Sequence, residues 1–218
     1  MKQESLKQQA YSYIRDKIVN CKYAPGTMLN EEQLHQELNV SRTPIRDALS
    51  RLEQDGLIII KPKKGILIAP FTLNEINHIF ETRILIEPFA LLEYGYTLDE
   101  QELLKSYTIT KNLEENLSEQ EMFKMDDDFH TMIVQNLPNP YLRQCYQIIS
   151  LQTQRCRIFT VEHKKERMIS SNQEHLTILQ LCLKHDWQAA AEEMKKHLIN
   201  SKNTTFELLM ENTSLLSE

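Results

Sequence analysis

The sequence predicts a mainly helical protein in two parts: three short helices with a β-hairpin, followed by a longer all-helical bundle. Over most of the 218 residues, apolar side chains recur every three or four positions, the period of a helix buried on one face. The strand signals, two β-branched runs joined by a short turn, lie before Pro70. The chain has four glycines, too few for glycine-rich phosphate loops, and this scarcity argues against a large α/β sheet.

Three helices are predicted before residue 57. The apolar face of the first is formed by residues four positions apart, Leu6, Ala10, Ile14 and Ile18. The second starts after Asn30, in the string NEEQLHQEL, because asparagine is a good N-cap. The third has Ser41 as its N-cap and Pro44 in its first turn, where a missing N–H costs little, and Gly56 ends it.

A β-hairpin follows the third helix. Two β-branched runs, LIIIK at 57–61 and GILIAP at 65–70, are joined by PKK. The order helix, helix, turn, helix, hairpin is that of a winged helix-turn-helix, a DNA-binding fold. Residues 1–70 hold 11 Lys and Arg against 8 Asp and Glu, whereas the rest holds 14 against 23. A basic part suits contact with a polyanion, so we expect a DNA-binding domain at residues 1–70.

The third helix carries the residues expected to recognise bases. Arg42, Thr43 and Arg46 lie on its polar side near the N-terminus, while Ile45 and Leu49 lie on the opposite side. In this fold that end enters the major groove, where an arginine can donate two parallel hydrogen bonds to guanine. The alternative is that the arginines are ordinary solvated surface residues.

Phosphate contacts are expected from the helix terminus and from the hairpin tip. Ser41 and Thr43 can bind phosphate through hydroxyl or backbone N–H groups, at the positive end of the helix dipole. Lys63 and Lys64 add positive charge at the tip, and Gly65 would allow the hairpin backbone to approach DNA closely.

The second part is predicted to be an all-helical bundle over residues 71–210, because no strand signal appears after Pro70. Six helices are expected: 73–94, 98–117, 119–136, 140–163, 166–184 and 187–210. Residues 211–218 are expected to form a disordered tail.

One carboxylate and three imidazoles are predicted to face the bundle interior. Asp126 and His130 are one helical turn apart, so both project from one face, and His175 and His197 lie on apolar faces of two later helices. This set suits Zn²⁺, Ni²⁺, Mn²⁺ or Fe²⁺, with positions left for water or a ligand. The alternatives are hydrogen-bonded core histidines and a solvated run of aspartates at 126–128.

The first 70 residues resemble the winged-helix head of GntR-family transcription regulators. The resemblance is carried by PGTMLNEEQLHQELNVSRTPIRDALSRLEQDGLI and then by KPKKGILIAP. It implies that Arg42, Thr43, Arg46 and Gly65 contact DNA. One position departs from the family: Glu32 stands where an arginine that contacts phosphate is usual, and a carboxylate there would repel phosphate.

Residues 72–200 resemble the FCD effector domain of the FadR-like branch of that family. The matching motifs are E-x-R-x-x-x-E from Glu81 to Glu87, D-x-x-F-H from Asp126, E-H-x-x-I at His175, and A-A-x-E-M-x-x-H-L at His197. In metal-binding members, the matching aspartate and three histidines hold a divalent cation beneath an effector pocket; other members lack them and bind effectors without metal. Arg83 would grip an effector carboxylate, or else pair with Glu87 on the helix surface.

The sequence therefore predicts a ligand-responsive transcription regulator, not an enzyme. In this family repression is the commoner mode, and the expected partners are a palindromic double-stranded operator, a small carboxylate effector and a second copy of the chain. The expected cation is Zn²⁺ or Ni²⁺, with Mn²⁺ and Fe²⁺ as alternatives.

Three other functions remain open at this point. The chain could sense the metal itself, hold a purely structural metal, or be a metal-dependent hydrolase, although no nucleophile–base pair lies near the ligands in sequence. There is no signal-peptide core and no stretch of about 18 apolar residues. We therefore expect a cytoplasmic protein without a membrane partner.

Overall fold

The computed structural model describes residues 5–112, 118–163 and 166–211. Within them the chain divides into two compact units, one ending at residue 73 and one spanning 74–211. The predicted fold class, a winged helix-turn-helix followed by a helical bundle, is confirmed. Of the expected tail, only Glu211 is described, and it ends the last helix. No helix in the described ranges has the length and apolarity needed to cross a bilayer.

The first unit contains three helices and a small antiparallel sheet. Its elements are α1 (Leu6–Val19), β1 (Met28–Leu29), α2 (Glu31–Leu38), α3 (Arg42–Gln54), β2 (Ile58–Lys61) and β3 (Gly65–Ile68). Asn30 and Ser41 occupy the predicted N-cap positions of α2 and α3. Fully buried aliphatic side chains from the three helices and the sheet form the core: Ile14, Ile18, Leu34, Ile45, Leu52 and Ile68.

Gly56 ends α3, as its sequence position predicts. Its φ is +70°, its N–H donates to the Glu53 carbonyl, and the N–H of Leu57 donates to the Leu52 carbonyl. These two bonds form a Schellman motif, which satisfies carbonyls that the helix end would otherwise leave unpaired. The chain therefore leaves α3 directly into β2.

The sheet has the strand order β1-β3-β2, so the predicted hairpin gains a third strand. The sequence does not predict β1, because two residues are too few to show the alternation of a strand. Leu29 pairs with Ile66 of β3. At Gly65 the φ is +116°, and a Cβ would lie 2.7 Å from the Leu29 carbonyl oxygen. The glycine is therefore required by the close approach of β1 to β3.

In the described part of the chain, the second unit contains six α-helices and a short 3-10 helix at Gly95–Thr97. The α-helices are α4 (Leu73–Tyr94), α5 (Glu100–Lys111), α6 (Glu119–Gln135), α7 (Pro140–His163), α8 (Glu166–Leu183) and α9 (Trp187–Glu211). α5 begins two residues later than predicted because Asp99 is its N-cap and accepts from two backbone N–H groups. Residues 113–117, where the prediction extends α5, lie outside the described part. The core lies between α4, α6, α8 and α9 and includes Leu91, Ile133, Leu179 and Met194.

The close approach of β1 to β3 predicts that alanine destabilises the first unit more at Gly65 than at Gly26. Gly65→Ala should destabilise the first unit by about 2 kcal/mol, because it adds a backbone clash to an unfavourable φ. Gly26→Ala is the control, since Gly26 also has a positive φ but a Cβ there would meet nothing within 4 Å. It should cost about 1 kcal/mol. Urea unfolding followed by far-ultraviolet circular dichroism measures both, and equal losses would contradict the steric role of Gly65.

Candidate functional site

The bundle brings the four predicted metal ligands together. The Nε2 atom of His197, on α9, lies 3.3 Å from the Nε2 atoms of both His130, on α6, and His175, on α8. All three imidazoles are buried. The Asp126 carboxylate lies alongside, 3.7 Å from His130 Nε2 and 3.8 Å from His175 Nε2. Three separate helices thus converge on one small volume.

A buried carboxylate, that of Glu87, and a partly buried one, that of Glu174, orient two of the rings. His130 Nδ1 lies 2.6 Å from a Glu87 carboxylate oxygen, and His197 Nδ1 lies 2.6 Å from a Glu174 oxygen. Burial alone would raise the pKa of Glu174, but hydrogen bonds from His197 and Arg167 lower it to about 2. An ionised carboxylate only accepts, so we assign the ring proton to Nδ1 in both histidines. Each Nε2 therefore carries a lone pair that faces the centre.

This donor set fits a divalent cation. Two lone pairs 3.3 Å apart cannot hydrogen-bond to each other, whereas a cation between them would bind both. Asp126 Oδ2 lies 2.5 Å from Arg157 Nη2, so the carboxylate is held as an anion beside the imidazoles. Carboxylate partners that fix the tautomer and direction of ligating imidazoles are the usual surroundings of protein metal sites.

Local charges and burial keep the candidate ligands in the protonation states that metal binding requires, which are neutral imidazoles and an ionised carboxylate. Burial lowers the pKa of all three imidazoles below the ordinary histidine value, and the Arg83 charge lowers that of His130 further. The imidazoles are therefore neutral at pH 7. Burial would raise the pKa of Asp126, but the nearby positive charge of Arg157, 2.5 Å away, outweighs it and the pKa falls. Asp126 is therefore ionised.

A cavity of about 60 Å³ adjoins this cluster. Its walls include Asp126, His130 and His197, so the candidate metal position faces the cavity. Each water needs about 10–15 Å³ by this measure, so the space suits a few waters or one small molecule. Three arginines and several hydroxyl side chains also line it: Arg83, Arg157, Arg167, Thr153, Thr160, Ser171, Ser201 and Thr205.

Arg83 forms the predicted pair with Glu87, whereas its contact with an effector stays a prediction. Its Nε donates to Glu87 at 2.6 Å, but this ion pair is buried and not on the helix surface. Burial alone would lower the pKa of Arg83, yet the Glu87 charge raises it, so Arg83 remains cationic. Its Nη2 is buried and has no hydrogen-bond partner among the described residues. One continuous chain of contacts thus joins the cavity, Arg83, Glu87 and His130.

Sequence reasoning missed several residues of this site. Glu174 directly precedes His175, and that adjacency was a usable signal for a carboxylate near the cluster. Glu87 was recognised only as a partner of Arg83, because nothing in the sequence shows its contact with a histidine 43 residues away. Arg157 and Arg167 carry no local signal, since they belong to the site only through the packing of α7 and α8.

In the first unit, the predicted base-recognition residues lie at the exposed N-terminus of α3. Ser41 makes no side-chain capping bond, so its hydroxyl is not used by the helix. Arg42 and Arg46 are exposed, and each forms an ion pair with a glutamate of α2: Arg42 with Glu32 at 3.3 Å and Arg46 with Glu31 at 3.1 Å. Glu32, which stands where the family usually has an arginine, therefore lies directly beside Arg42, a predicted DNA contact.

The remaining predicted DNA contacts are also placed as the sequence suggests. Thr43 is exposed in the first turn of α3, and Lys63 and Lys64 are exposed in the turn between β2 and β3. Gly65 follows them and is half-buried. A Cβ at this position would clash with the Leu29 carbonyl oxygen, which explains why the residue is glycine. Its contact with DNA stays a prediction.

Comparison with known protein families identifies the family to which the chain belongs. Residues 6–68 match the model described as bacterial regulatory proteins, gntR family, and residues 78–200 match the FCD domain, more than half of the chain. The chain is a GntR-family regulator with an FCD domain. It is therefore a DNA-binding transcription regulator of the FadR-like branch and not an enzyme, so the hydrolase alternative is set aside.

Individual relatives agree with this assignment. The HTH-type transcriptional repressor RspR of Escherichia coli is 26% identical over 99% of this chain and 95% of its own length. The structure of E. coli McbR/YncC shares the fold, with a TM-score of 0.74 at 16% identity over 97% of this chain and all of that one. The Zn²⁺-bound FCD domain of TM0439 covers 64% of this chain and 96% of its own, with a TM-score of 0.55 at 23% identity.

The burial of the Arg83–Glu87 pair predicts a large effect of breaking it. Glu87→Gln should lower the free energy of unfolding by about 3 kcal/mol, because it leaves a buried guanidinium without its counter-charge. Asp128→Asn is the control, since Lys124–Asp128 has the same four-residue spacing and is exposed. That change should have no measurable effect on the same denaturation curve. Similar effects of the two substitutions would show that burial does not set the strength of the pair.

Proposed function

We propose that this GntR regulator represses transcription from a palindromic operator as a homodimer, and that a small carboxylate bound beside a divalent cation changes its affinity for the operator. The observation that carries this proposal is the convergence of three imidazoles and Asp126 at a cavity lined by Arg83 and Arg167. Repression is supported by the similarity to RspR. An effector acts by binding one arrangement of the dimer better than another.

The cation would be held by Asp126, His130, His175 and His197. Three imidazole nitrogens and one carboxylate suit Zn²⁺ or Ni²⁺, and Mn²⁺ and Fe²⁺ also accept this set. The fold similarity to a Zn²⁺-bound FCD domain supports Zn²⁺. When bound, the cation supplies a Lewis acid that attracts a carboxylate oxygen of the effector.

The cavity is rich in unused donors, and this favours a carboxylate effector over sensing of the metal alone. Arg83 Nη2, Thr153 Oγ1 and Arg167 Nε are buried and lack a hydrogen-bond partner among the described residues. Each can donate a hydrogen bond. A carboxylate offers about four acceptor positions, so it would satisfy groups that otherwise remain buried and unpaired.

A homodimer is supported by an exposed apolar stripe on α4. Leu85, Phe89 and Leu92 lie at helical spacing and are 69%, 40% and 42% exposed. A second copy of the chain that packs this stripe would remove it from water. α4 also carries Arg83 and Glu87. A molecule bound in the cavity would therefore contact the same helix that carries this stripe.

Metal binding can be tested by thermal unfolding. Adding Zn²⁺ to chelator-treated protein should raise the melting temperature, because a ligand that binds only the folded state stabilises it. His175→Ala should abolish most of this rise, whereas the exposed His78→Ala variant should retain it. An equal rise in both variants would place the ion elsewhere on the protein.

Effector sensing can be tested on a duplex selected from a random library by the purified protein. A panel of small carboxylic acids should contain one that alters operator binding with Zn²⁺ present and is at least about tenfold weaker after chelation. Arg83→Lys keeps the positive charge but loses the planar fork, so it should require at least about tenfold more of that acid. A response to Zn²⁺ alone, unchanged by every acid, would instead show a metal sensor.

A further inference from the structure

Arg167 connects α8 to α9 directly beside the candidate metal position. Its Nη2 atom donates to Glu174 Oε2 at 2.7 Å and to Ser201 Oγ at 2.8 Å. Its Nη1 atom donates to Ser170 Oγ at 3.0 Å. Glu174 Oε2 is also the atom that lies 2.6 Å from His197 Nδ1. One guanidinium therefore holds the carboxylate oxygen that orients a candidate metal ligand.

Helix stability does not explain an arginine at this position. α8 begins at Glu166, so Arg167 lies in its first turn, where the positive end of the helix dipole disfavours a cation. The Arg167 side chain is only 10% exposed, so its charge has also lost most of its hydration. Neither feature stabilises the fold by itself. Both point to a role in arranging the groups that the guanidinium contacts.

Arg83 makes an equivalent connection to another imidazole. Its Nε donates to one oxygen of Glu87, and the other oxygen of Glu87 lies 2.6 Å from His130 Nδ1. Two chains of the order arginine, glutamate, histidine therefore end at two different candidate ligands. The two chains share no residue, so a change at Arg167 should disturb one ring and leave the other in place.

We propose that Arg167 is a positioning residue, which holds Glu174 and through it His197 in the direction that cation binding needs. This inference rests on the proposed cation site. Positioning and simple electrostatics predict opposite effects of removing Arg167. Loss of its positive charge alone would make a nearby cation bind more tightly. Loss of the fixed carboxylate should weaken binding instead, since the partners of ligating imidazoles contribute about 10–100-fold to metal affinity.

The test measures Zn²⁺ affinity, by competition with a chromophoric chelator, in the wild-type protein, Arg167→Gln and Arg167→Lys. Arg167→Gln should bind Zn²⁺ about tenfold more weakly. Arg167→Lys keeps the charge but replaces a planar group of three nitrogens with one nitrogen, so its affinity should fall by only about threefold. Affinity at or above the wild-type level in Arg167→Gln would overturn the inference. If that variant does not fold, wild-type affinity in Arg167→Lys would overturn it.

Lys196→Gln is the matched control for the loss of charge. Lys196 directly precedes His197 on α9, is exposed, and pairs with Glu193 instead of Glu174. The substitution removes the same charge close to the site and should leave Zn²⁺ affinity unchanged. A loss as large as that in Arg167→Gln would show that charge near α9, and not the hold on Glu174, sets the affinity.

Nitrogen-15 NMR of the metal-free protein gives a second measurement, which a general loss of packing would not reproduce. In Arg167→Gln the His197 ring should no longer show a single form protonated on Nδ1, whereas His130 should keep that form. Equal changes in both rings would overturn the inference and leave the proposed function intact. Failure of the wild-type protein to bind Zn²⁺ would instead overturn the proposed cation site.

Discussion

Two hydrogen bonds between carboxylates and imidazoles set the direction of the histidine nitrogens at the centre of the helical bundle. Glu87 accepts from His130 Nδ1 and Glu174 accepts from His197 Nδ1, each at 2.6 Å. These bonds fix the tautomer of both rings and turn their Nε2 lone pairs toward each other. Without them a ring could place its proton on Nε2, and the imidazoles would hydrogen-bond to one another instead of forming a candidate cation site.

The same carboxylates belong to a balanced set of three ion pairs, of which one is buried and two are partly buried. Arg83 pairs with Glu87, Arg157 with Asp126 and Arg167 with Glu174. Such pairs are costly to desolvate and add little net stability, so their presence beside a cavity indicates function more than folding. In the proposed function a bound cation adds two positive charges to this set, and an anionic effector offsets part of that excess.

The sequence predicts much of the fold and the ligands, because both depend on local periodicity. Asp126 and His130 could be placed on one helix face from their spacing alone. The partners of the imidazoles could not, because Glu87 meets His130 only through the packing of α4 against α6. The same holds for Arg46, which pairs with a glutamate 15 residues away on another helix. Two-residue strands such as β1 also escape prediction, since they carry no period.

The tautomers of His130 and His197 in the metal-free protein test the account most directly. Nitrogen-15 NMR of histidine-labelled protein, treated with a chelator at pH 7, separates protonated from unprotonated ring nitrogens. The account predicts neutral rings for both residues, with the proton on Nδ1 and a free lone pair on Nε2. Rings protonated on Nε2, or doubly protonated imidazolium, would contradict it.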